Sequence, residues 1–123
     1  MKFWVFTHSD QPLEDWLDGY EQRFDAWAEG GVEGIIVGRM QFKQDDGTSI
    51  PSYPVDAALY AEHGVEPPEE SSRDLEKEKK LLAMMDDAKA RGWKIMTFGM
   101  GRGGLVGLED LVKFYPQVDG VII

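Results

Sequence analysis

Four polar side chains stand just after apolar runs, where an α/β protein presents chemistry: His8, Asp10, Arg39 and Arg102. A histidine titrates near neutrality, so His8 fits a general acid or base. Its plainer role is packing at a strand end. Asp10 could serve as a site carboxylate, but it also suits the N-cap of a helix whose first turn holds Pro12. Arg39 and Arg102 could clamp an anion, or pair with the abundant acids of this chain. Arg102 lies in "FGMGRGG", where Gly99, Gly101 and Gly104 match the G-x-G-x-x-G pattern of dinucleotide loops. The backbone N–H groups of Gly101, Gly103 and Gly104, together with Arg102, suit a small anion or sugar. A dinucleotide loop belongs to the first βα turn, with a ribose-binding acid about 20 residues further on. Here the loop follows the third apolar run. The nearby acid, Asp119, precedes the fourth run and should point to the opposite end of a sheet. No nicotinamide or other cofactor is expected.

Composition narrows the classes. The chain has 123 residues, a net charge of −10 and no cysteine. One domain spanning 1–123 is expected. The acidity weighs against nucleic acid and anionic membranes as partners, which need a basic footprint. Without cysteine there are no disulfides or thiolate sites, and a cytoplasmic location fits. Only two histidines are present, with no H-x-x-x-H spacing, so no metal site is expected.

These candidates need elements to hold them. "KFWVFTHS" (2–9) reads as a strand buried on both faces. Leu13, Trp16, Leu17, Tyr20, Phe24 and Trp27 then form one helical stripe, closed by Gly30-Gly31. "VEGIIVG" (32–38) is a second strand. Residues 39–70 read as a long irregular insertion, with a turn at Asp46-Gly47 and room for one short helix between Pro54 and Glu62. Ser71-x-x-Asp74 opens a helix in the manner of a capping box. Leu75, Leu82, Met85 and Ala88 mark its buried side, widened by Leu81 and Met84, and "EKEKK" forms a solvated face. "WKIMTFGM" (93–100) is a third strand. Leu108, Leu111, Val112 and Tyr115 stripe a last helix, with Glu109 and Asp110 at its start, and "VDGVII" (118–123) is a fourth strand.

The order βαβαβαβ with doubly apolar strands implies a parallel sheet with helical crossovers. A short internal repeat accompanies it. "GVEGIIVG" near Gly31 resembles "QVDGVII" near Gln117, and "KFWVFT" near Lys2 resembles "KIMTFG" near Lys94. Buried strands resemble one another by composition alone; a true duplication would point to a barrel-like array of βα units. Two architectures fit: a four-stranded half of a TIM (β/α)8 barrel, and a flavodoxin-like open sheet. The strand orders 1-2-3-4 and 2-1-3-4 separate them.

The segments "FDAWAEGGVEGIIVGRMQF", "DDGTSIPSYPVDAALYAEHGVEPPEE", "ARGWKIMTFGMGRGG" and "YPQVDGVII" together resemble the amino-terminal half of uncharacterised bacterial TIM-barrel proteins related to glycoside hydrolases, a family known mainly from environmental genomes. The resemblance implies a barrel scaffold. A full barrel has eight strands in about 250 residues; this chain carries four and ends within the fourth. Glycoside hydrolysis needs two carboxylates across the sugar, and no catalytic residue carries over. A half barrel leaves two strand edges and one apolar face open. The expectation is therefore a scaffold that pairs with itself, a homodimer closing eight strands, without a complete catalytic site. A glycoside hydrolase-like enzyme and a small anion- or sugar-binding module are the alternatives.

Overall fold

The computed structural model describes residues 3–7, 16–38, 40–67, 73–98 and 105–122. Four parallel strands form the main sheet: β1 (Phe3–Phe6), β2 (Val32–Val37), β5 (Lys94–Phe98) and β6 (Gly120–Ile122). They lie side by side in the order β1-β2-β5-β6, the order in which the chain visits them. This sequential order differs from the 2-1-3-4 order of a flavodoxin-like sheet. A short antiparallel hairpin, β3 (Gln41–Lys43) with β4 (Ser49–Pro51), stands apart as a second sheet.

Among the described residues, four helices connect these strands: α1 (Tyr20–Glu29), α2 (Ala57–Glu62), α3 (Leu75–Ala90) and α4 (Leu105–Phe114). Phe24 of α1, Leu81, Met84, Met85 and Ala88 of α3, and Leu111 of α4 join Ile35, Val37 and Ile95 in one core. Those strand residues alternate along β2 and β5, so α1, α3 and α4 all cover the same sheet face. A sequentially wound sheet with crossovers of one hand produces this arrangement.

The helix starts differ from the sequence reading. Gly19 takes a left-handed conformation (φ +75) before α1, separating the helical turn at Trp16-Leu17 from α1. The expected single stripe is thus broken at Gly19, yet Trp16, Leu17 and Phe24 all reach the core. Asp74, rather than Ser71, caps α3: its carboxylate accepts the Lys77 N–H at 3.1 Å. The buried stripe of α3 is rotated accordingly. Leu75 and Leu82 are exposed, while Glu78, expected on a solvated face, is buried. Arg73 neutralises Glu78 through two hydrogen bonds at 2.7 and 3.1 Å, the geometry in which an arginine–carboxylate pair is strongest. Glu109 and Asp110 lie in the middle of α4, not at its start, and Val112 is exposed.

The described part of the insertion, residues 40–67, is less irregular than expected. Asp46-Gly47 makes the hairpin turn, with Gly47 left-handed (φ +87) and Asp46 accepting the Thr48 N–H. The helix expected between Pro54 and Glu62 is α2. Phe42 and Tyr53 sink into the main core, whereas Val55 and Tyr60 form a second cluster with Val106 of α4.

Candidate functional site

The expected site residues fall outside the described residues: His8, Asp10, Arg39, Gly101, Arg102, Gly103 and Gly104. What is described at the carboxyl ends of the strands is structural. The Thr7 N–H donates to the Ile36 carbonyl at 3.1 Å. The buried Thr97 hydroxyl donates to the Gly38 carbonyl at 2.8 Å, tying the ends of β2 and β5 together. Asp119 sits before β6, as its position predicts. Its carboxylate accepts the Ile95 N–H at 2.8 Å and pairs with Lys89 at 2.6 Å. Burial pushes this carboxyl up, but Lys89 and the Ile95 N–H outweigh that and hold it below the usual carboxylate range.

The unusual surface is the sheet face away from the helices. Trp4, Phe6, Ile36, Met96, Phe98 and Ile122 point there, by their alternation with core residues and their pairing across the ladders. Trp4 is 41% exposed, Phe6 47% and Phe98 36%. Phe6 and Phe98 stack with centroids 5.7 Å apart. Two glycines make room for large neighbours. A Cβ on Gly34 would lie 2.6 Å from the Trp4 ring, and one on Gly120 would lie 2.6 Å from the Met96 sulfur. The face is thus shaped large-over-small and is apolar throughout the described strands, save for Lys94 at the amino end of β5. The expectation that β1 is buried on both faces is corrected: Phe3, Trp4 and Phe6 are exposed, and the described helices cover the other side. Contiguous exposed aromatics of this kind mark an interaction surface.

A second constellation holds the segment after β4. Asp110 of α4 is fully buried, and its two oxygens accept the Asp56 N–H at 3.1 and 3.3 Å. Asp56 caps α2 through the N–H groups of Ala58 and Leu59 and pairs with Lys113. His63 and Glu109 meet at 3.1 Å, and the Tyr115 hydroxyl donates to the Ser52 carbonyl. Burial raises the Asp110 carboxyl above its ordinary range, against the pull of the Asp56 N–H. Burial and then the Asp110 charge push the Tyr60 phenol up to about 12. These links fasten the insertion to α4. Sequence reasoning missed this role of Asp110. Its place one helical turn after Val106 was the available signal. Among the described residues, no group of three or more His, Cys, Asp or Glu could hold a metal ion, and no helix is long and apolar enough to cross a membrane.

Comparison with protein-family models, with curated proteins and with solved structures finds no match to this chain.

Proposed function

We propose that this chain is a half-barrel scaffold that associates with a second copy of itself to close an eight-stranded parallel barrel. One copy carries no complete catalytic site in this reading. The observation that supports it is a sequentially ordered parallel sheet covered by helices on one face and bare and aromatic on the other. In a closed barrel, helices form the outer ring and the opposite face is packed with side chains. The outer strands β1 and β6 run in the same direction. Strand β6 of one copy beside β1 of another therefore continues a parallel sheet, and a two-fold axis along the barrel closes it. Closure removes both edges, which otherwise invite uncontrolled pairing. Covering each exposed aromatic stabilises the assembly by about 1.5–3 kcal/mol. The cytoplasmic setting read from the cysteine-free composition belongs to the same proposal.

Size exclusion coupled to light scattering tests the reading. The expected mass is twice the 13.9 kDa of one chain; a well-folded monomer at high concentration would sink it. The glycosidase alternative rests on the sequence resemblance. We expect no turnover of aryl glycosides, and turnover that survives repurification would revive that alternative.

A further inference from the structure

The sheet contains one strand pair twice. In the first pair Trp4 faces Gly34, Val5 faces Ile35 and Phe6 faces Ile36. In the second pair Met96 faces Gly120, Thr97 faces Val121 and Phe98 faces Ile122. The members correspond one to one with the short sequence repeat: Lys-x-[Trp/Met]-x-Phe on the first strand, Val-[Glu/Asp]-Gly on the second. The same packing recurs as well, a large side chain seated over the glycine of the next strand. Composition accounts for apolar strands. It does not account for an identical register and an identical large-over-glycine contact at matching positions.

The junction between the two pairs has its own stagger. Gly34 faces Lys94, not Met96, so passing from one pair to the next shifts the register by two residues. Four pairs joined by this junction make eight strands with a cumulative stagger of eight residues. That is the shear at which eight parallel strands close in a TIM barrel. One chain holds two pairs, so two chains hold four.

We infer that two copies of this chain join by repeating the β2–β5 junction between β6 of one copy and β1 of the other. The inference rests on the half-barrel reading and specifies its interface. In the β2–β5 ladder Ile36 faces Met96; carried to the new seam, Ile122 faces the partner's Trp4. The closed interior then has three inward layers of four side chains. The first consists of Trp4 and Met96 from both copies, the next of Ile36 and Ile122 from both, and the third of Phe6 and Phe98 from both. Alternate strands supply each layer, as the packing of such barrels requires.

The chain has no cysteine, so introduced ones report without background. Paired Cα atoms on adjacent strands lie about 4.8 Å apart, within disulfide reach, whereas Cα atoms beyond about 7 Å cannot be bridged. The double variant Trp4→Cys/Ile122→Cys should oxidise to a covalent dimer. Phe6→Cys/Ile122→Cys, two residues out of register on the same face, should not. Hydrogen exchange on the unaltered chain covers the case in which Trp4→Cys fails to fold. Amides of β1 and β6 should be protected as well as those of β2 and β5, and that protection should be lost on dilution. A dimer that links through Phe6→Cys, or whose β1 and β6 amides exchange freely, overturns this inference and leaves self-association standing. A monomer with freely exchanging edges overturns both.

Discussion

Ile95 and Met96 are neighbours in β5 and sit in opposite surroundings. Ile95 lies under α3 among Phe24, Met84 and Met85, fully buried. Met96 looks the other way, over Gly120, on a face that none of the described helices covers. Both faces of the sheet are apolar, but among the described residues only one is covered by helices. The covered face holds one copy together. The bare face, on our reading, holds two copies together. Folding and assembly are thereby divided between alternate residues of the same strands.

That division can be broken from either side. Phe24→Ala should have the largest effect. Phe24 is fully buried against Trp16, Trp27 and Trp93, and the truncation should cost about 3–5 kcal/mol. Thermal unfolding followed by circular dichroism checks it. The loss should appear at every protein concentration. Phe98→Ser, on the bare face, should act oppositely. One copy should keep its stability to within about 1 kcal/mol, while the dimer dissociation constant rises roughly tenfold or more. Sedimentation at several concentrations separates the two effects. A variant that unfolds the single chain and leaves its association unchanged would undo the comparison.

The smallest effects concern two acids on the covered side, with opposite signs. The folded pKa of Asp119 is lowered. Its contribution is therefore present above the ordinary aspartate value of about 3.9 and is lost as pH falls through the folded one. Asp119→Asn should flatten the acid limb of the stability profile. The folded pKa of Asp110 is raised. Its contribution is present below the ordinary value and is lost as pH rises through the folded one. Asp110→Asn should therefore gain stability at pH 7 relative to pH 4, when urea midpoints are compared.

Much of the architecture was legible in the order of apolar runs. The four strands, the helix after Pro54 and the placement of Asp119 all follow from period and punctuation. Cap identity was not. Ser71 and Asp74 are both good cap residues by type, and the helix starts from Asp74, whose carboxylate accepts the Lys77 N–H. The hairpin β3–β4 was half visible, since its turn at Asp46-Gly47 was marked but its three-residue strands are too short to show a period. The open face was legible as apolar, not as open, because Ile95 and Met96 look alike in sequence while only Ile95 joins the helix-covered core. Strand order itself is set by packing, which no local pattern records. The candidate ligand residues His8, Asp10, Arg39, Gly101, Arg102, Gly103 and Gly104 lie outside the described residues.

Trp4 has an optical consequence. Trp16 and Trp93 are sealed in the core and Trp27 packs against it; Trp4 alone among the four tryptophans stands on the bare face with a large part of its ring in water. Indole emission shifts to the blue as water leaves. The chain thus carries its own unlabelled gauge of whether that face is wet or dry, readable by diluting the protein in a fluorimeter.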